Sequence, residues 1–462
     1  MTELSQIELL APAGGRSQLE AAVRFGADAV YLACDRFGMR QRAENFALED
    51  IAGAVAFAHD AGVKVHVTVN TMMSQGDLGQ LPEYLEALDD AGADALIIGD
   101  MGAFSLAGKH APHVQRHVST QASVMNAAAA RAWYDLGASR VVLAREMSVE
   151  DIADLRAAVP RELELETFVH GAMCMAYSGR CLLSAAMTGR SGNKGFCAQP
   201  CRWSYALVEE KRPGSYYPIE QDVRGTYVMN AYDLCMIEHL NDLAAAGVDS
   251  FKIEGRNKRA FYVATVVHAY RAVMDGADPA DVMSDLHAIS HRPYGTGFFY
   301  GEPKQRQERD GYDKEYLHAA TVVSCEPVGS RAAGEGIASV DAIAGGIIPA
   351  KTAGSDAPVN VVDPAESADA AELSSSLPQT YRIHATCHNR FFEGDEVEAL
   401  APRKPISKLQ VKNLVWEQRP SPEGLAPAPV AVPVANRTME TYAFESSVPL
   451  APGDLLRIKI AQ

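Results

Sequence analysis

No apolar run in this 462-residue chain reaches the roughly 20 residues needed to cross a bilayer as a helix, so no membrane partner is expected. The opening MTELSQIELLAPAGG has neither a basic n-region nor an apolar h-region. A cytoplasmic protein with reduced thiols is therefore predicted. No Gly-x-Gly-x-x-Gly turn follows the first strand candidate, and neither a His-Glu-x-x-His helix nor a Gly-x-Ser-x-Gly elbow occurs. These absences remove the signatures of a dinucleotide-binding sheet, a zinc-helix peptidase and an α/β-hydrolase. Positive charge is also short: 42 Lys and Arg stand against 59 Asp and Glu, a net charge of −17. The average surface repels polyanions, so any nucleic-acid or anion site must be local.

Residues of hydrophobic type make up 47% of the chain, enough for a large core. One phrase recurs in variant form: FGADAVYLA from Phe25, AGVKVHVTVN from Ala61, AGADALIIGD from Ala91, LGASRVVLAR from Leu136 and AGVDSFKIEG from Ala246. Each follows an Ala/Leu-rich segment of helical spacing. A glycine ends the helix, and a β-branched run then reads as a buried parallel strand. ELLAPA at Glu8, QRHVSTQ at Gln115 and LELETFVHG at Leu163 bring the strand candidates to eight before about residue 256. Eight alternating units over about 250 residues predict an α/β protein of the (β/α)8 TIM-barrel type. TYVMN at Thr226 is a ninth candidate, placed in an insertion between strands seven and eight.

Residues 1–290 are assigned to the barrel, with a cysteine-rich insertion at about 171–225 after the seventh strand. Residues 291–316 read as a connector. From 317 to 462, short strand-like runs alternate with turns, and Gly-Asp twice opens a strand, in FFEGDEVEAL and LAPGDLLRIKI. A small C-terminal β-barrel is predicted, with SDAPVNVVDPAESADAAELSSS and EQRPSPEGLAPAPVAVP as long loops.

Four of the eight cysteines, Cys174, Cys181, Cys197 and Cys201, fall in one stretch with the spacing Cys-x6-Cys-x15-Cys-x3-Cys. A [4Fe–4S] cluster, a structural zinc ion or ordinary loop cysteines all remain open on spacing alone. Cys235, apolar-flanked in the predicted helix AYDLCMIEHL, reads as core. Between Thr167 and Val208 the chain has no carboxylate, while Arg180, Arg190, Lys194 and Arg202 sit among the cysteines. Such a stretch either offsets the charge of the thiolates or serves an anionic substrate or a phosphate backbone.

Barrel chemistry gathers at the C-terminal ends of the strands. There the sequence places Asn70, Asp100, Gln121, Asn126, Arg145, Glu146, His170, Glu254 and Arg256. His170 and Glu254 are the candidates for general acid and base. The substrate-binding candidates are Asn70, Gln121, Asn126, Arg145, Glu146 and Arg256, joined by Tyr177 and Arg180 from the cysteine stretch.

In ETFVHGAMCMAYSGRCLLS, the residues Glu166, Phe168, Gly171, Ala172, Cys174, Gly179, Cys181 and Ser184 resemble the signature of the bacterial collagenase-like peptidase family of unassigned catalytic type. ELLAPAG, GADAVY, VNTM, HVSTQASVMN, REMS, KIEGR and YGTGFFYG extend the likeness over most of the chain. Despite the peptidase name, the resemblance implies an oxygen-independent hydroxylation protein carrying a [4Fe–4S] cluster on Cys174, Cys181, Cys197 and Cys201. Within that family the chain looks most like the branch acting on tRNA. This implies 5-hydroxyuridine formation at the wobble position in the anticodon region, with prephenate as the hydroxyl source. Arg145, Arg180 and Arg256 would then hold the anionic co-substrate, with a protein partner or electron donor completing the reaction. A true peptidase and a non-catalytic Fe–S partner subunit are the competing expectations.

Overall fold

The computed structural model describes residues 3–40, 43–174, 178–203, 206–208, 216–218, 232–301, 303, 313–328, 380–418 and 427–460. The chain divides into two compact units, 1–316 and 317–462.

In the first unit the strands are β1 (Glu8–Pro12), β2 (Ala29–Leu32), β3 (Lys64–Val69), β4 (Ala95–Ile98), β5 (Gln115–Val118), β6 (Arg140–Val142) and β7 (Glu164–Ala172). They are followed by the hairpin β8 (Ala206–Val208) and β9 (Tyr216–Pro218), then β10 (Asp233–Cys235), β11 (Ser250–Ile253) and β12 (Tyr294–Gly295). Strands β1 to β7 pair in order and in parallel, and β11 pairs with both β7 and β1, which closes an eight-stranded barrel. Helices α1 (Arg16–Phe25), α2 (Ile51–Asp60), α3 (Gln75–Leu78), α4 (Leu81–Asp90), α5 (Met101–His110), α6 (Ala127–Asp135) and α7 (Val149–Ala158) alternate with these strands. The remaining helices are α8 (Leu183–Thr188), α9 (Leu240–Ala245), α10 (Ala260–Met274) and α11 (Pro279–Ala288). The eight-strand expectation is met.

The recurring phrase has a structural cause. Its glycines, Gly26, Gly62, Gly92, Gly137 and Gly247, all adopt positive φ directly after a helix, where a side chain would be strained. In three of the five copies the following Asp clamps a neighbouring strand. Asp28 accepts from the Leu9 amide at 2.8 Å, Asp94 from Val65 at 2.7 Å and Asp249 from Leu165 at 2.9 Å. One carboxylate therefore ends a helix-to-strand turn and fixes the adjacent strand's register.

The barrel core is partly ionic, where aliphatic layers are usual. Arg140 of β6 pairs with Glu8 of β1 and, at 3.0 Å, with Glu166 of β7. Glu166 also receives Lys252 of β11. Burial alone would raise the Glu8 carboxyl, but Arg140 overcomes this and holds it at about 2. His66 and His117 complete the layer with rings edge-on at 4.9 Å; burial pushes both below the usual imidazole range, His66 to about 4.

Several expectations change. Asp233–Cys235 is a strand antiparallel to the end of β7, with Leu234 opposite Gly171; a 3-10 turn follows at Ile237–His239, and the α-helix begins only at Leu240. Cys235 is nonetheless buried, as expected. Residues 291–316 belong to the first unit instead of lying between the two, and β12 pairs with β10 at the barrel sheet's end. The strand candidate at Thr226 lies outside the described residues.

The second unit holds β13 (Tyr316–Pro327), β14 (Tyr381–Cys387), β15 (Phe391–Phe392), β16 (Glu396–Leu400), β17 (Ser407–Gln410), β18 (Lys412–Glu417), β19 (Val430–Ala431), β20 (Val434–Ala435), β21 (Thr441–Ser446) and β22 (Leu455–Lys459). Eight of them form an antiparallel half-barrel in the order β17-β16-β22-β13-β14-β21-β18-β19, around Ile383, Phe391, Leu414, Tyr442 and Phe444. Both Gly-Asp turns work alike. Gly394 and Gly453 take positive φ, while Asp395 accepts from the Phe392 amide and Asp454 from that of Ala451. The first predicted loop, 355–376, lies outside the described residues; the second, 417–433, is described in part and contains β19.

Candidate functional site

At the C-terminal ends of the strands lies a cavity of about 150 Å³, open at its mouth. Its floor and walls come from Tyr31, Thr68, Asn70, Ile97, Val142 and Phe168 and, near β11, from Lys252, Glu254 and Arg256. The cysteine loop forms the other side. Cys174, Cys181, Cys197 and Cys201 all line this one space, although 27 positions separate the first from the last. None is in a disulfide.

The loop is built to hold that arrangement. Glu146 accepts from the Ser178 amide at 2.9 Å and so fixes the turn between the first two cysteines. Gly179, at φ +75°, packs on the Gln121 backbone so closely that a Cβ would stand 2.1 Å from its carbonyl oxygen. Buried Ser184 donates to the Arg190 carbonyl at 2.7 Å and accepts from the Ala198 amide at 2.9 Å, drawing together the segments that carry Cys181 and Cys197. The Met72 amide donates to Asn193, tying the loop to the end of β3. The Gln199 amide lies 3.4 Å from Cys197 Sγ, as a donor to a sulfur ligand would.

Guanidiniums dominate the opposite wall. Glu254 sits between Arg40 at 3.2 Å and Arg145 at 3.4 Å. Burial would raise its carboxyl, but Arg40, Arg145 and Arg256 overcome that and hold it below the usual range, ionised. Arg145 also stacks on Phe168, its Cζ 3.9 Å from the ring centroid. Arg256 donates to Thr68 Oγ1 at 2.8 Å, and burial lowers its guanidinium to about 10. Arg256 Nη2 and Arg145 Nε are buried with no hydrogen-bond partner among the described residues. Unsatisfied buried donors on cationic groups suit an incoming anion.

Of the residues singled out in the sequence, the cavity lining brings together Asn70, Gln121, Arg145, Glu254, Arg256 and the four cysteines. His170 is not among them. Its ring lies within 5.3 to 6.0 Å of the rings of Tyr262, Tyr270 and Tyr294, and burial pushes it down to about 3. It is a neutral core histidine: regular alternation would put residues 168 and 170 on one face, but the pairing of β7 with β11 shifts register between them. Asn126 caps α6 by accepting from the Ala129 amide. Glu146 positions the loop, and Arg180 is exposed at the rim. Tyr177 lies outside the described residues. Sequence reading missed Arg40, Lys252 and Tyr31; Lys252 and Tyr31 are hidden inside strands that otherwise read as apolar.

Among the described residues, the only His, Cys, Asp and Glu group whose ligand atoms lie within 4.8 Å of one another is His66, His117 and Glu166. The Glu166 carboxylate there is already taken by Lys252 and Arg140. No three of the cavity thiols approach that closely.

Fold and site together define a (β/α)8-barrel protein with a four-thiol, arginine-walled cavity at the catalytic face. The chain matches peptidase family U32 over residues 14–309 and belongs to that family. It is 40% identical over 312 residues to tRNA hydroxylation protein P1 of Bacillus subtilis (strain 168), covering 66% of this chain and 73% of that one. It is 38% identical to the 23S rRNA 5-hydroxycytidine C2501 synthase of Escherichia coli (strain K12), over 58% of this chain and 39% of that enzyme. A protein named collagenase from Porphyromonas gingivalis (strain ATCC BAA-308 / W83) is 34% identical, over 65% of this chain and 75% of its own. Among the described residues, no helix is long and apolar enough to cross a membrane.

Proposed function

We propose that this chain is an iron–sulfur-dependent tRNA-modifying enzyme that hydroxylates the wobble uridine to 5-hydroxyuridine without dioxygen, with prephenate as the hydroxyl source. The observation that carries this reading is the convergence of Cys174, Cys181, Cys197 and Cys201 on the barrel-mouth cavity beside buried guanidiniums. Similarity to proteins named for RNA hydroxylation supports it.

A single zinc ion, with Zn–S near 2.3 Å, would need thiols about 3.8 Å apart. Four thiolates around one cavity could hold either a zinc ion or a cluster, and the cluster is the reading that also supplies redox chemistry. Replacing the uridine C5–H by C5–OH is a two-electron oxidation, and a [4Fe–4S] cluster bound to the four thiolates would supply redox chemistry that side chains lack. The electrons must leave to an external acceptor, so a redox partner belongs to this reading. Arg256 and Arg145 offer their unused N–H groups to the carboxylates of the co-substrate. Glu254 stays ionised and orients Arg40 and Arg145, so it acts as a positioning residue and not as a proton donor. Phe168 and Leu183 supply apolar wall that excludes water.

Peptidase activity is the second reading, favoured by the relative named collagenase. Among the described residues no histidine lines the cavity, so a Cys–His pair is missing there.

Anaerobic purification with iron, sulfide and zinc analysis tests the proposal, together with nucleoside analysis of tRNA from a deletion strain. About four irons and four sulfides per chain, and 5-hydroxyuridine lost on deletion but restored by the wild-type gene and not by Cys174→Ser, are expected. One zinc without sulfide, or unchanged 5-hydroxyuridine in the deletion strain, would overturn it.

A further inference from the structure

The cysteine loop has two faces. Cys181 lines the cavity while its neighbour Leu182 is 71% exposed; Cys197 lines it while Phe196 is 48% exposed. Cys201 lines it too, and Trp203, just beyond the Pro200–Arg202 turn, is 47% exposed. Large apolar side chains are thus left in water at the cavity rim, beside the residues that line it. The other tryptophans are used internally: Trp133 packs edge-on against Phe104 at 5.0 Å, and Trp416 lies under the Arg437 guanidinium at 3.8 Å.

Charge on this face runs against the rest of the chain. Net charge is −17, yet positions 168–207 contain no Asp or Glu. Arg180, between the cavity-lining Gly179 and Cys181, is exposed, as is Lys194, which reaches Asp77 at 3.5 Å. Exposed aromatics interleaved with cations, in a segment with no carboxylate of its own, are what unpaired bases and their phosphates require. A base stacks on any aromatic face, and the backbone needs positive charge.

We propose that the outer face of the cysteine loop is a stacking platform for the unpaired bases of an RNA loop, with Trp203 and Phe196 as the base-contacting side chains and Arg180 as a phosphate contact. This deepens the RNA-modifying reading above and rests on it. Bases flanking the target hold the loop at the rim, while the target base, taken out of its stack, enters the cavity. An acidic chain can in this way bind a polyanion through one short segment.

The test measures binding of cluster-loaded protein to bulk tRNA and to a synthetic anticodon stem–loop, with an RNA duplex of equal length as control. Tryptophan fluorescence should be quenched by the stem–loop in wild type and not in Trp203→Ala. Trp203→Ala and Phe196→Ala should each weaken stem–loop binding about tenfold. Trp203→Phe should recover most of the loss. Arg180→Ala should weaken binding and reduce the slope of log affinity against log salt by about one. Unchanged iron content in each variant shows that the loop is intact; if Trp203→Ala loses iron, Trp203→Phe and Phe196→Ala decide.

Wild-type affinity in the iron-loaded aromatic variants would overturn the platform, as would equal affinity for duplex and stem–loop. Binding of Trp203 to anionic phospholipid vesicles in place of the stem–loop would overturn it in favour of a membrane. The two proposals separate cleanly. Wild type that restores 5-hydroxyuridine while Trp203→Ala and Phe196→Ala bind and modify normally refutes the platform alone. Wild type that binds the stem–loop through Trp203 but restores no 5-hydroxyuridine refutes the reaction alone.

Discussion

Lys252 Nζ lies 2.6 Å from Glu166 Oε1 inside the barrel, with side-chain exposures of 4% and 0%. Lys252 also lines the cavity above, so the pair joins the ionic floor of the barrel to the site. Removing one partner of a buried pair strands the other charge. Lys252→Met should destabilise the first unit by about 3–5 kcal/mol, measured by urea denaturation. Adding Glu166→Gln should return part of that loss, since the charge that Lys252 compensated is then gone while Arg140 keeps Glu8 and Glu164 as partners. An additive double variant would show that the two residues do not act as a pair.

Acid should destabilise the protein from near pH 6.5 downward. Burial holds His170 at about 3 and His66 at about 4, against 6.5 in the unfolded chain. The unfolded state therefore takes up protons that the folded state refuses, and stability is lost as pH falls through 6.5 toward those folded values. Glu8, held at about 2, adds to the loss below its unfolded value of about 4.5. His170→Phe fits the surrounding tyrosine rings and removes one titration. The slope of thermal midpoint against pH should flatten in this variant between pH 6.5 and 4; an unchanged slope would exclude His170 as a source.

Gly179→Ala should damage the loop and spare the barrel. Its φ of +75° and the 2.1 Å approach to the Gln121 carbonyl leave no room for a methyl group. Loss of bound iron with far-UV circular dichroism unchanged is the expected result. Full iron content would mean that the loop can shift without opening the thiol set.

Under the proposed reaction, Arg256→Met should weaken binding of the anionic co-substrate more than binding of RNA. Its Nη2 has no partner among the described residues, and a charge-assisted hydrogen bond contributes about 1.5–3 kcal/mol. Prephenate affinity should fall on the order of tenfold or more in calorimetry, with stem–loop affinity unchanged. Equal loss of both would assign Arg256 to holding the cavity together.

The eight strands were legible because one local rule repeats. A helix must stop at a glycine, and a buried parallel strand must be apolar on both faces, so each unit carries its own signal in FGADAVYLA and its variants. The cysteine loop was legible through clustering. The helix expected around Cys235 is instead a three-residue strand antiparallel to β7, too short to show a period, and Cys235 pairs with His170, 65 positions away.

By itself, the sequence determined the closed barrel, a separate C-terminal β unit with its two Gly-Asp turns, and the family, because each depends on short-range periodicity or on a motif read in order. Only the tertiary structure decided which polar residues form the site. His170 and Phe168 differ by two positions on one strand, yet because the pairing of β7 with β11 shifts register between them the histidine faces tyrosines and the phenylalanine faces the cavity. Arg40, Arg145 and Arg256 come from separate loops, and burial with Glu254 is what turns them into a site. Side-chain direction and shared burial arise from contacts between distant segments, which no local pattern encodes.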